Sequence, residues 1–405
     1  MSEHLQEELV SAPTMDFGKW MIPAWIIGIL GLAACGYGYT TMPAETMQSY
    51  LYGFIFWMVV TLGFFGLTLL HHTIRGSWGT SVIRIYSSGG GPVAFLIMGI
   101  LFVPIALNLP TLYSAWMGHT ANPLVHHKSS YLNETAWLIR AVVYFVFWIA
   151  VSAYLRRSDL KQDRTQDPSE ASKRTNLSAP MLVAFVVSVT LAITDWVMSL
   201  QPTWSSTMYG VWFVVSGGLA GLCLGAALVL GNKKKEPYAG IVTPSFVKDF
   251  GNLIMAFTML WAYVTLSQYL IIYSGNLPEL ITYYVNRRNG GFNELGGFVV
   301  VFSFFVPFVI LLAPRTKSMA RNLLWVALWL FFMRILDMYW NVIPAFEDRG
   351  LLVNPKWTDL AALIGVGGVW FGVLAMQLRK IPLMPKYDDR LEIAYADYQE
   401  HLEHA

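Results

Sequence analysis

Two arginine and aspartate pairs are set into stretches that otherwise carry no charge. In MRILDMYW (residues 333–340), Arg334 and Asp337 are three residues apart, so on a helix they share a face one turn apart. Arg140 (AWLIRAVV) and Asp195 (AITDWVM) fall in two separate apolar runs. A charge at the centre of a bilayer costs at least ~2.5 kcal/mol, so each pair needs a reason. A cation and an anion together either fix helix packing as a buried salt bridge or form a site that takes up and releases a proton. Polar side chains run in rows nearby: Ser188, Asp195 and Ser199 share a helical face through the small Ala192, and Thr258, Thr265, Gln268 and Tyr269 share another. Such rows could carry a water chain, or they could tie packed helices together at about 0.6 kcal/mol per bond. His72 ends an apolar run beside His71 and could take up a proton at the surface. As sequence neighbours on a helix the two histidines point about 100° apart, so they cannot share one haem iron.

The elements that must position these groups are membrane helices. Of 405 residues 55% are hydrophobic and only 13% charged, about half the usual charged share of a soluble domain. Ten apolar runs can be read, at 20–38, 50–72, 92–112, 135–156, 179–200, 208–231, 250–273, 295–313, 321–343 and 358–379. The fold class is an all-α integral membrane protein. Its expected parts are an N-terminal tail (1–19), a ten-helix membrane domain (20–379) and a C-terminal tail (380–405). Ten is even, so both termini share a side. The loops on that side hold roughly twenty Lys and Arg and those opposite about five, which places both termini in the cytoplasm. The acidic N-terminus lacks the basic start of a signal peptide, so the first helix is expected to be retained. Residues 157–178 and the tail from Lys386 have soluble-like composition and read as solvated faces that orient the chain or touch a neighbour. The run SSGGGP at 87–92 follows no strand and reads as a turn rather than a phosphate cradle. Cys35 and Cys223 are isolated, without CxxC or CxxCH, which removes covalent c-type haem, zinc ribbons and iron–sulfur ligation by this chain. The partner implied by composition is the lipid bilayer, not nucleic acid.

An internal repeat lies under the ten helices. Asn108-Leu-Pro-Thr-Leu ends the third run and Asn276-Leu-Pro-Glu-Leu the seventh; TDWVM (194–198) lies in the fifth and LDMYW (336–340) in the ninth. Both matches are four helices apart, so the copies point the same way: a parallel repeat of two four-helix bundles, spans 2 to 5 and 6 to 9, with spans 1 and 10 outside. This topology puts Arg334 near mid-membrane and Asp337 one turn nearer the outer surface. Arg140 and Asp195 each fall about five residues inside the outer ends of spans 4 and 5, at one depth. Gly217, Gly221 and Gly225, and Gly368 and Gly372, read as small-residue packing seams.

Three separated stretches agree in order with a known family: DWVMSLQPTWSSTMYGVW (195–212), FTMLWAYVTLSQYLIIYSGNLPELITYY (257–284) and MRILDMYWNVIPAF (333–346). They resemble the hallmark segments of the NrfD-like, polysulphide-reductase-type membrane subunits. The nearest resemblance is to the F-subunit group of bacterial alternative complex III, a quinol:cytochrome c oxidoreductase. The resemblance implies a ten-helix protein of the bacterial inner (cytoplasmic) membrane that binds no cofactor of its own, quinone or quinol being the one candidate ligand. Haem c and iron–sulfur clusters would sit on partners: a multihaem cytochrome c subunit, an iron–sulfur subunit, a second NrfD-like subunit, small membrane subunits and a terminal oxidase. The family's buried acidic positions carry over to Asp195 and Asp337, with Arg334 as partner. Quinol oxidation is better supported in the sibling NrfD-like subunit, so a proton path is the first expectation here and a quinol-facing site the second. Arg140, His72, Ser188, Ser199, Thr258, Thr265 and Gln268 complete the candidate proton path. A proton-coupled transporter and a purely structural subunit are the other readings. A transporter expects helices broken at mid-depth, and the prolines here lie near helix ends except Pro104 and Pro307.

Overall fold

The computed structural model describes residues 17–385 apart from 75, 118–122, 236, 240–241, 347–348 and 351–353. Most of the N-terminal tail, and the tail from Lys386 with its expected neighbour contact, lie outside the described residues. Secondary structure in the described residues is helical, apart from one isolated bridge between Gly350 and Asn354. Ten helices are long and apolar enough to cross a membrane: α1 (Gly18–Thr41), α2 (Pro43–Thr73), α3 (Ile83–Leu107), α4 (Glu134–Thr165), α5 (Ser169–Leu200), α6 (Met208–Gly231), α7 (Pro244–Gly275), α8 (Phe292–Leu312), α9 (Ala320–Ala345) and α10 (Trp357–Leu378). The chain is a multi-pass, all-α membrane protein. The side carrying the Lys- and Arg-rich loops is called inner below, and the opposite side outer.

The two most buried helices, α2 and α6, cross at the centre. A Cβ on Gly63 would lie 1.9 Å from the carbonyl oxygen of Gly217, so only glycine permits the approach. Lipid is as apolar as leucine, so such close backbone packing, not hydrophobic burial, holds membrane helices together. Around this axis one pattern of neighbours occurs twice. Helix α2 packs on α3 and α5, with α4 closing the ring; α6 packs on α7 and α9, with α8 closing the second ring. Helices α1 and α10 pair outside the rings through Gly28 against Gly368 and Gly31 against Gly365, and α10 leans on α2. The repeat extends to the helix ends. After Asp195, α5 finishes in a 3-10 turn (Met198–Leu200), and after Asp337, α9 finishes in another (Ile343–Ala345). The two NLP motifs differ in detail: Asn276 caps α7 in the left-handed region at φ 43, whereas Asn108 has φ −113 and its amide donates to the Pro104 carbonyl at 2.9 Å. That bond occupies a carbonyl near the kink-prone proline.

Several boundaries depart from the sequence reading: α2 begins at Pro43 rather than 50 and α7 at Pro244 rather than 250, each with its proline in the first turn. Span 3 ends at Leu107 rather than 112, and it begins at Ile83 because Ser87–Gly89 complete a helix; Gly90 makes the break before Pro92. A Cβ on Gly90 would sit 2.3 Å from the Phe65 nitrogen, which is why the break needs glycine. Residues 157–178 are a helical hairpin rather than a loop, with an exposed outward face and a buried inner one. Their long polar side chains are good helix formers, so α4 and α5 continue to a tight turn at Gln166 (φ 57). Ser158, Glu170 and Arg174 are buried inside that hairpin, where the Ser158 hydroxyl donates to Glu170 at 2.8 Å. Helix α8 contains a π-helical turn (Val301–Phe305) just before Pro307, whose missing N–H cannot serve the carbonyl one turn back.

Candidate functional site

Arg140 and Asp195 sit near the outer ends of their helices and Asp337 toward the outer end of α9, with Arg334 near its middle, and the two pairs are built differently. In the second ring, Arg334 Nη1 donates to Asp337 Oδ2 at 3.0 Å within α9, and both side chains are 1% exposed. The same oxygen receives Ser216 Oγ from α6 at 3.0 Å and Trp261 Nε1 from α7 at 3.1 Å. Oδ1 accepts Asn341 Nδ2 at 3.4 Å, a donor already engaged with the Asp337 carbonyl at 2.8 Å, and the Trp212 indole also faces this carboxylate. Arg334 is poorly satisfied: Nε and Nη2 are buried without acceptors, and the guanidinium lies 4.2 Å from the Trp261 ring centroid. Half-satisfied polar networks in a low dielectric are costly.

The first ring closes its pair across two helices. Arg140 of α4 grips Asp195 of α5 bidentately, Nε to Oδ2 at 2.8 Å and Nη2 to Oδ1 at 2.9 Å. Tyr144 donates to Oδ2 at 2.8 Å, and Arg140 stacks 3.9 Å over the Tyr131 ring. Asp195 is fully buried and both its oxygens are served, while the arginine is 21% exposed toward the outer side. Trp137 Nε1 and Ser199 Oγ donate to the Asp195 backbone carbonyl, not to its carboxylate. Tyr131 lies outside the spans; burial first, and then the nearby Asp195 carboxylate, push its phenol up to about 12.

The polar rows do not form hydrogen-bonded chains. Ser188 accepts from Trp148 Nε1 at 3.0 Å and donates to the Phe185 carbonyl, well away from Asp195 in the bond network. Thr258 donates to its own helix at Ile254. Gln268 accepts from Ser206. Tyr269 is exposed rather than in the buried row. Thr265 keeps its place: its hydroxyl has no partner and it lines a cavity with Asp337. His72 is buried rather than interfacial, on a void of about 10 Å³ that also touches Thr68, Ser152, Arg156 and Asp159, room for roughly one water.

The cavity beside Asp337 is the larger feature. About 520 Å³ lies between α7, α8 and α9, walled by Trp261, Tyr269, Phe304, Phe305 and Trp340, with Asp337 on one wall and Arg287 and Arg288 at the outer end. Its α8 wall includes the π-helical turn, which is where such turns tend to occur. Sequence reasoning missed Tyr144, Ser216, Trp261, Asn341 and the two arginines. Trp261 falls in the Thr258, Thr265 and Gln268 row at helical spacing, but its N–H was hidden behind an apolar ring. Arg287-Arg288 stands out as a charge pair on the side that is poor in Lys and Arg. Among the described residues no group of three or more His, Cys, Asp or Glu could hold a metal ion.

Compared with protein-family models and with curated proteins, the chain matches none.

Proposed function

We propose that this chain is a proton-exchanging membrane subunit of a quinol-oxidising electron-transfer complex of the alternative complex III type, with Asp337 as the exchanging carboxylate. The resemblance of the three stretches around Asp195, Trp261 and Asp337 supports membership of the complex. The observation that carries the proton role is the geometry of Asp337. It is a buried acid whose ion-pair partner lies on its own helix, with Oδ1 held less closely than Oδ2, on the wall of a cavity of about 520 Å³. Intramembrane acids beside cavities mark ion paths more often than packing devices.

In this reading the two halves divide the work. Asp195 joins α4 to α5 and, held by two bonds from Arg140 and one from Tyr144, serves as a structural tie. Asp337 can bind a proton on Oδ1 and turn from Arg334, which shares its helix, giving up with it the bonds of Oδ2 to Ser216 of α6 and Trp261 of α7. The freed guanidinium remains over the Trp261 ring, which offsets part of the lost charge pairing. Thr265, whose hydroxyl lacks a partner, is the next polar group along the cavity wall. Electrons from the quinol pass to iron–sulfur clusters and haems on partner subunits; this chain handles protons only.

Mass spectrometry of the gently solubilised native assembly tests the membership. A multihaem cytochrome c, an iron–sulfur protein and a second ten-helix subunit are expected to travel with this chain. Recovery as a lone chain, or with a substrate-binding accessory protein, would return the transporter reading.

A further inference from the structure

The outer end of the cavity carries a cation with no anion. Arg287 is 3% exposed, and its bonds go to backbone carbonyls: Nε to Trp340 at 3.0 Å, Nη1 to Tyr283 at 2.7 Å and Nη2 to Asn341 at 2.9 Å. Its guanidinium also lies 3.5 Å from the Tyr283 ring centroid. No described carboxylate is in ion-pair distance of it, whereas the other fully buried arginines of the spans have acidic or amide partners. Arg288 stands beside it on the same cavity rim. A buried guanidinium retains its charge, so an unneutralised one calls for an anion from outside the chain.

The shape of the cavity says what kind of anion. Its α8 wall runs from Phe292 to Phe305, fourteen residues or about 20 Å along a helix. The arginines occupy the end at the outer membrane surface, and the deeper part is aromatic and aliphatic apart from Thr265 of α7 and Asp337 of α9. Leu266 and Phe305, on its flanks, are 57% and 55% exposed, so the slot opens sideways to lipid between α7 and α8. A charge at the interface above a long apolar slot matches an amphipathic anion.

We propose that this slot is a binding site for an anionic phospholipid of the outer leaflet, with its phosphate on Arg287 and Arg288 and one acyl chain laid along α8. The site does not depend on Asp337 exchanging protons. Anionic headgroups gain on the order of a fivefold preference per arginine near the surface. Gly297 gives a second handle, because it lines the slot and an added side chain there meets nothing within 4 Å.

The test is native mass spectrometry of the protein, within its complex, taken from nanodiscs of equal phosphatidylglycerol and phosphatidylcholine. One phosphatidylglycerol is expected to stay bound. Arg288→Gln should lower its retention about fivefold. Gly297→Phe should abolish retention by filling the slot, with the arginines intact. Inorganic phosphate in excess should not displace the lipid. Arg287→Gln should act like Arg288→Gln; if it does not fold, the exposed Arg288 and Gly297 variants still decide. Equal retention of the two lipids, displacement by phosphate alone, or replacement by a neutral isoprenoid quinone that is indifferent to Arg288→Gln would each overturn the proposal.

Discussion

Arg334 and Asp337 bond across a single turn of one helix at 3.0 Å, whereas Arg140 and Asp195 bond across two helices at 2.8 and 2.9 Å. The first pair ties α9 only to itself, although Oδ2 of Asp337 also accepts from Ser216 and Trp261 on neighbouring helices. Parting the second removes the bidentate tie between α4 and α5. The same two residue types thus make a candidate switch in one half of the molecule and a rivet in the other.

Removing one member of the α9 pair is expected to cost more than removing both. Arg334→Met leaves a buried carboxylate without its cation and should destabilise by about 3–5 kcal/mol, while Arg334→Met with Asp337→Leu should be nearly neutral. Thermal unfolding of the purified protein in detergent reads both. Equal losses would mean that the pair itself supplies net stability.

The rivet makes the opposite pattern. Tyr144→Phe deletes one hydroxyl bond to the Asp195 carboxylate and should cost about 1.5–3 kcal/mol, with turnover of the assembled complex unchanged. A turnover defect at wild-type thermal stability would move Asp195 into the proton path.

Much of this was legible in the sequence, for physical reasons. Apolar runs must be helices because lipid offers no partner for backbone N–H and C=O groups, so the ten spans followed directly. The positions of Arg140 and Asp195 at one depth followed from counting residues inward from helix ends. What could not be read was the third dimension. Ser188 and Ser199 share the face of Asp195, yet one serves Trp148 and the other a backbone carbonyl. Residues 157–178 look solvated by composition, but Glu170 is buried against Ser158 and Arg174 against Gln162 once two helices run side by side. The cavity at Asp337 depends on a π-helical turn and on which aromatic rings leave space, and no periodicity reports either.

The central crossing gives a prediction about packing alone. Gly63→Ala puts a methyl within 1.9 Å of the Gly217 carbonyl oxygen and should force α2 from α6, with a large loss of folded protein on size exclusion. Gly36→Ala in α1 meets nothing within 4 Å and should stabilise by about 0.5–1 kcal/mol, since glycine is the poorer helix former. Similar behaviour of the two variants would contradict the crossing.

Tyr131 supplies a pH test outside the spans. Its phenol is pushed from 10.0 to about 12, by burial first and by the Asp195 carboxylate second, so the folded state holds this proton more tightly than the unfolded one. The stability it contributes is whole below the ordinary phenol value and is lost as pH rises from there toward the raised one. The tyrosinate absorbance difference between wild type and Tyr131→Phe should have its midpoint near the raised value. A midpoint at the ordinary phenol value would place the ring in open water.

The most direct measurement is the proton-to-electron ratio of the whole complex in liposomes, with Asp337→Asn, which keeps shape and removes the exchangeable proton, set against Asp195→Asn. Asp337→Asn is expected to assemble with full haem content and to lower the ratio, or the pH-dependent turnover, at least several-fold. Asp195→Asn is expected to reduce thermal stability and leave the ratio alone. An unchanged ratio and unchanged turnover in a correctly assembled Asp337→Asn complex would make both aspartates packing devices and contradict the proton role.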